Sequence, residues 1–399
     1  MNSHRWVRTG HLRLAGALLL AGSTAWHAFD ISTSGPTDRA GRLKGADFLQ
    51  FYTYGVLATR DPDRLYDPAA HAHAARTHVE PPLELSTFRP NYSPVIAWMA
   101  RPLTTLPYST ALAWFSAGSW MLFVVAVGVL VSTTTALRHY WKTTLLLAIA
   151  WPTIFVVLRY GQISAATLLV LSCATAAFAA KRDATAGGLL GLLAFRPQLL
   201  VVPVLAFAAN RRYRLLAGLL AGVSMETLVN FALVGVESMR EYAGTLAGLA
   251  QQPELVQFFP AESHSLRAFV RLLTGAAALA QPAGWVAVVL AAVAVVRVWQ
   301  VQPDWRPRWS GLVLAMLVGS PHVLSYDLLL LAVPILLLVD WVMSADRADW
   351  RLWRVPLAMA YFGAWPGTFI ARVYQVQPST IAMLWLLYLL ARRRSAGQS

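Results

Sequence analysis

Charge is what this sequence has little of. Asp, Glu, Lys and Arg make up 13% of its 399 residues, about half the share of a soluble globular domain. Cysteine is nearly absent too. Cys173 stands alone in an apolar run, so an intramolecular disulfide is impossible and a cysteine-ligated metal cluster is disfavoured. A small buried hydrophobe is the better reading of it. No P-loop, GxSxG, HExxH or CxxC occurs, so none of the chemistries those motifs mark is signalled. Charges are rarest inside the apolar runs, which speaks against a proton-driven pump with buried carboxylate relays.

What is present is hydrocarbon. Apolar residues make up 57% of the chain and mean hydropathy is +0.51. Runs of roughly 17–22 apolar residues recur, the length that crosses a bilayer as helix. The expected fold is all-α and polytopic, one integral-membrane domain over residues 1–394 with a short tail at 395–399. Spans read at 12–29, 109–131, 143–158, 162–180, 184–196, 198–209, 215–234, 283–299, 309–321, 327–343, 353–370 and 377–391. Several are short, so the expected count is about ten to twelve. Segments 184–196 and 198–209 look like half-length helices broken at Arg196 and Pro197. A break at membrane depth is tolerated where the backbone is buried in protein or lines a wet cavity. The first thirty residues are basic, then apolar, like a signal peptide. The apolar run continues through Trp26 and Phe29, so an uncleaved first span is expected.

The net charge is +14 and the pI about 10.4. No interleaved basic and aromatic motif for nucleic acid accompanies it. The basic residues instead collect in short loops: RHYWK (138–142), KRD (181–183), NRRYR (210–214), DWRPR (304–308) and ARRR (391–394). These fall on alternate loops and mark the cytoplasmic side, with both termini there. The other side then carries two long loops, 30–108 and 235–282, and the turns RYGQ, FRPQ and SPHVLSYD. After Asp47, Phe48, Phe51, Tyr52 and Val56 recur at helical spacing. Segment 94–106 is too short to span and is expected to lie in the interface.

Polar groups beside apolar runs concentrate on that external side. A charge at membrane depth costs about 2.5–3.5 kcal/mol on insertion scales and marks a functional site by default. Asp47 is either a general base facing an acceptor hydroxyl or the N-cap of the helix that follows. Asp61, Asp63 and Asp67 sit in TRDPDRLYDP, a turn-rich stretch where solvated loop carboxylates are expected. Arg89, Arg159, Arg196, Arg267 and Arg271 could bind a lipid phosphate or snorkel to headgroups; Arg196, at the break, is best explained by a cavity. His322 could carry a proton or bond a sugar or phosphate. Asp327 could orient it or cap the next helix. Asn91, Tyr92, Gln162 and Gln198 are further candidate substrate contacts. No metal or cofactor is called for by these residues.

Asp47–Phe48 after the first span, Leu65–Tyr66–Asp67, RPNYSPVIAWMARPLTTLP (89–107), GQISAATLLVL (161–171), the glycine-rich stretch with its Arg-Pro turn (186–214) and SPHVLSYDLLLLAVP (320–334) occur in that order. Together they resemble glycosyltransferase family 87. Arg196 stands where many members have Lys, and Ser93 where many have Pro. The resemblance implies a GT-C type membrane enzyme in a bacterial-type plasma membrane. It implies transfer of a hexose, usually mannose, from a polyprenyl-phosphate donor to a lipid or glycan acceptor on the external face. By that likeness Asp47 is the catalytic base of an inverting displacement, His322 an active-site contact and the arginines ligands of the donor phosphate. A lipid or solute transporter, or a non-catalytic envelope scaffold, would instead need no base at Asp47.

Overall fold

The computed structural model describes residues 9–80, 82–83, 90–251, 259–344, 350–364 and 367–392. Among them the regular structure is helical. No strand occurs, and β pairing is confined to two isolated bridges, Thr37 with Leu43 and Ser263 with Leu324. The expected all-α membrane architecture is what the chain adopts.

Helix α1 (Thr9–Ile31) opens the fold with Leu14, Leu18, Trp26 and Phe29 exposed, an apolar face that suits lipid. The loop after it is itself folded into α2 (Ala46–Arg60), α3 (Pro68–Thr77) and α4 (Pro94–Ala100). These share a separate core of Phe48, Phe51, Tyr54, Leu65 and Ala97. Helix α5 (Tyr108–Ser132) crosses next, then α6 (Ala136–His139) and α7 (Trp141–Ile149). Helix α8 (Pro152–Tyr160) is bent by 42° against α7, at a proline that cannot continue the preceding helix. Then follow α9 (Ser164–Ala179), α10 (Asp183–Gly191), α11 (Val201–Ala209), α12 (Tyr213–Gln251), α13 (Leu266–Thr274), α14 (Ala277–Val301) and α15 (Trp305–Gly319). The chain ends with α16 (Ala332–Ser344), α17 (Trp350–Phe362), α18 (Gly367–Tyr374) and α19 (Pro378–Ala391).

Most spans read from sequence fall on one of these helices or on a bent pair, whereas 353–370 runs from α17 into α18. Among the described residues, five stretches are long and apolar enough to cross by themselves, and up to seven if each bent pair is one span. The remaining apolar runs, including α9, α10 and α11, form shorter helices, which is why the sequence count of about ten to twelve spans is larger. The expected second external loop is partly helical. Helix α12 runs on to Gln251 past Gly235, whose φ of 75° and ψ of −177° make a kink that a side chain would not tolerate. Segment 94–106 forms α4 and a 3-10 turn, Arg101–Thr105.

The main core is built on α15 and α16, with Trp309 to Gly319 buried throughout. The Trp309 indole donates to Thr175 Oγ1 at 2.7 Å and stacks on Phe178 at 4.4 Å.

Two features place the functional residues. The first is a glycine seam between α10 and α12. A Cβ on Gly187 or Gly191 would sit 2.0 or 2.2 Å from the carbonyl oxygen of Leu215 or Leu219, and one on Gly218 or Gly222 2.1 Å from that of Ala184 or Gly188. The two backbones touch because both helices carry small-xxx-small pairs. The second is the break after α10. A 3-10 turn, Leu192–Phe195, precedes Arg196, which is extended (φ −131°, ψ 68°) before a second 3-10 turn, Pro197–Leu199. The expected pair of half-length helices is thus real.

Candidate active site

Asp47 lies in the first turn of α2, where the positive helix end favours a carboxylate. It is not the N-cap. Gly45 holds that position with φ 65°, which frees the Asp47 side chain to point elsewhere. Gly45 N–H donates to the Arg159 carbonyl at 3.1 Å, and the Tyr108 hydroxyl to the Gly45 carbonyl at 3.0 Å. The turn after α8 thereby rests on the start of α2. Gly161 makes the approach possible: φ is 69°, and a Cβ there would lie 2.5 Å from the Phe48 Cβ.

That turn delivers Gln162 to Asp47. The Gln162 Nε2 donates to Asp47 Oδ2 at 2.8 Å and to the Tyr92 hydroxyl at 3.1 Å. Its Oε1 accepts from Arg196 Nη2 at 3.2 Å. Arg196 also donates from Nη1 to Asp327 Oδ1 in a buried ion pair. Asp327 further accepts from the Ser164 hydroxyl at 3.2 Å and the Leu324 N–H at 3.1 Å. The Tyr326 hydroxyl hydrogen-bonds Asp47 as well. Residues far apart in sequence thus form one connected cluster: Asp47, Tyr92, Gln162, Arg196, Tyr326 and Asp327.

The segment carrying Tyr92 is fixed from the outside. The Ser93 hydroxyl donates to Glu226 Oε1 at 2.6 Å, and the Val95 N–H to Asn230 Oδ1 at 2.8 Å. Both partners lie on α12, so the glycine seam bears on both Arg196 and Tyr92.

Burial pushes the Asp47 carboxyl up to about 6, with Asp327 adding to the rise; Gln162, Tyr326 and Arg196 pull the other way. Burial, reinforced by the Asp47 charge, pushes the Tyr92 phenol up to about 12. The half-buried His322 is lowered, chiefly by burial, and it feels Asp327, Arg196 and Arg267. It is therefore a neutral imidazole at pH 7 beside the cluster. A half-buried carboxylate poised near neutrality, with phenols, a neutral imidazole and a guanidinium around it, can take a proton from a hydroxyl and hold an anion.

Other candidates are placed differently. Arg159 is ion-paired to Asp38 at 3.2 Å and to Asp30 at 3.7 Å, so it ties the loop after α1 to the end of α8. Asp327 holds Arg196 rather than orienting His322 through a hydrogen bond. Arg267, on α13, lies close enough for its charge to act on His322. Arg271 bonds the Gly275 carbonyl at the end of α13. The described hydrogen bonds link neither Asn91 nor Gln198 to the cluster. Arg89 lies outside the described residues. Asp67 caps α3 by accepting from the Ala69 N–H at 2.8 Å, and Asp63 is exposed in its turn. Among the described residues, no three His, Cys, Asp or Glu side chains converge as metal ligands. Tyr326 of the cluster and Ser164, which donates to Asp327, were not singled out from sequence, although the Tyr-Asp pair and GQIS contain them.

The family model for glycosyltransferase family 87 matches residues 91–325. The chain belongs to glycosyltransferase family 87. No curated protein and no solved structure matches it. Membership makes the protein a glycosyltransferase, with a sugar donor and an acceptor, and decides against the transporter and scaffold readings. The matched segment contains Tyr92, Gln162, Arg196 and His322. Asp47 precedes it in the chain and meets it in space through the Gln162 amide.

Proposed function

We propose that this family 87 enzyme transfers a hexose, mannose by family habit, from a polyprenyl-phosphate donor to a lipid or glycan acceptor on the external face of a bacterial-type plasma membrane. Asp47 acts as general base. It takes the proton of the acceptor hydroxyl while that oxygen forms a bond to C1. The bond from C1 to the phosphate oxygen breaks, and the polyprenyl phosphate leaves with the electron pair. A phosphate is already a weak base, so no general acid is needed. One carboxylate is therefore enough, unlike the pair used in glycoside hydrolysis. Attack opposite the leaving group inverts C1.

The observation that carries this reading is the half-buried Asp47, hydrogen-bonded at 2.8 Å to a glutamine that Arg196 also holds. A guanidinium has five N–H groups; Arg196 uses one on Asp327 and one on Gln162. Further N–H groups remain for a phosphate, with Arg267 and the neutral His322 nearby. Such donors, held before reaction, stabilise the charge that develops on the leaving oxygen. Arg159, committed to Asp30 and Asp38, is left out of the phosphate site.

The test is sugar transfer by purified, reconstituted protein given polyprenyl-phosphate mannose and a lipid extract of the host envelope. Wild-type protein transfers the sugar, and Asp47→Asn loses about 10²–10⁴-fold in kcat while staying folded. Transfer by a folded Asp47→Asn protein at the wild-type rate would remove Asp47 from the role of base.

A further inference from the structure

Gln162 is expected from the sequence to touch a sugar, yet its polar atoms are taken up by the protein. Its Oε1 accepts from the Ile163 N–H at 3.1 Å and from Arg196 at 3.2 Å. Its Nε2 donates to Asp47 at 2.8 Å and to the Tyr92 hydroxyl at 3.1 Å. Two lone pairs and two N–H groups are all that a primary amide has. The side chain is 1% exposed, so a substrate could not reach it without displacing these partners. The amide orientation is over-determined. Turned over, it would set its carbonyl against the Asp47 carboxylate and its NH₂ against two donors.

We propose that Gln162 is a positioning residue that couples the Arg196–Asp327 ion pair to the general base. It fixes the direction of the Asp47 carboxylate and passes the polarity of the guanidinium to it through the amide. This deepens the transferase reading and rests on it for the word base. The physical route is ordinary. A cation on the carbonyl oxygen polarises the amide and makes its N–H groups stronger donors. A stronger donor favours the charged carboxylate. The groups facing Asp47 are Tyr108 of α5, Tyr160 of α8, Tyr92, Arg196, and Tyr326 with Asp327. Arg196 is the cation among them, and Gln162 bridges it to Asp47. The Oδ2 end of the carboxylate is held by Gln162, so the direction of the base follows the amide.

The experiment measures Asp47 directly. Full-length protein in detergent is treated with a water-soluble carbodiimide and an amine across a pH series, and the Asp47 peptide is quantified by mass spectrometry. Gln162→Met keeps the length of the side chain and removes both hydrogen-bond roles. Gln162→Glu keeps the shape and adds a like charge. Either variant moves the Asp47 labelling midpoint upward, by about one pH unit. In turnover, the acid limb of kcat follows, with donor KM within about threefold of wild type, because only ground-state substrate contacts would raise KM alone. A midpoint unchanged in both variants overturns the proposal. So does a raised KM with an unmoved midpoint, which would make Gln162 a substrate contact. A shifted midpoint in a protein whose wild type transfers no sugar from the polyprenyl-phosphate donor upholds the coupling and removes the proposed donor and acceptor instead.

Discussion

At the scale of the residue, Asp47 is held against its own preference for water. Its carboxyl is raised from 3.8 to about 6, mainly by burial. Between those values the folded state binds more protons than the unfolded state, so stability falls as pH rises through that window and stays lower above it. The penalty at neutral pH is up to about 3 kcal/mol. Asp47→Asn removes it. The variant is expected to melt at higher temperature than wild type at pH 7.5, with the difference shrinking toward pH 4, in a thermal-shift series. Activity runs the other way. A base must be deprotonated, so wild-type kcat/KM is expected to fall tenfold per pH unit below about pH 6. An acid limb lying near pH 4 would mean that the titrating group is not this one. Asp47 was legible as special because a carboxylate beside aromatics needs a reason. Its partner was not. Gln162 lies 115 residues away, and local pattern cannot say which distant turn will meet α2. Arg159 shows the same limit. It reads as a phosphate ligand until Asp30 and Asp38 are brought beside it.

At the scale of the element, the α10–α12 seam converts a packing rule into site geometry. Glycines bring the two backbones into contact, and the gain is close van der Waals and Cα–H contact that lipid cannot replace. Helix α10 leads straight into the Arg196 break, while α12 holds Ser93 and Val95 through Glu226 and Asn230. Gly187→Leu and Gly222→Leu each place a Cβ about 2 Å from a backbone carbonyl oxygen, and backbone cannot step aside as a side chain would. Each is expected to destabilise by about 1–3 kcal/mol or more and to lower activity further than its stability loss explains, since Arg196 and Tyr92 both shift. Gly118→Leu on α5 is the control, because a Cβ there meets nothing within 4 Å. Equal melting temperatures for Gly187→Leu and Gly118→Leu would contradict the seam. The broken helix itself was readable from Arg196 and Pro197. The continuation of α12 past Gly235 was not, because Glu237, Arg240 and Glu241 end the apolar pattern on which span reading depends.

At the scale of the molecule, the helices divide chemistry from anchoring. The chain reaches the Asp47 cluster at the start of α9, at the break after α10 and at the end of α15. The basic loops lie at the opposite helix ends. There Asp340 is fully buried and accepts from the backbone N–H groups of Thr135, Ala136 and Leu137 at 3.0, 2.7 and 3.0 Å, and from Arg306 at 2.7 Å. That latch joins α6, α15 and α16 on the side away from the site. If the dense Lys and Arg loops face the cytoplasm, the cluster lies toward the outer side, where the proposed lipid-carried donor would meet it. The lone cysteine makes this measurable. In a Cys173→Ser background, Asp63→Cys sits in an exposed turn of the first long loop and Arg214→Cys at the exposed start of α12. A membrane-impermeant maleimide is expected to label Asp63→Cys in intact cells, and Arg214→Cys only after permeabilisation. The reverse pattern would put the cluster in the cytoplasm and call for a donor made and used there. Labelling of both in intact cells would mean an even number of crossings between them, so that one of the passages read there, such as the bent α7–α8 pair, would be a re-entrant loop instead.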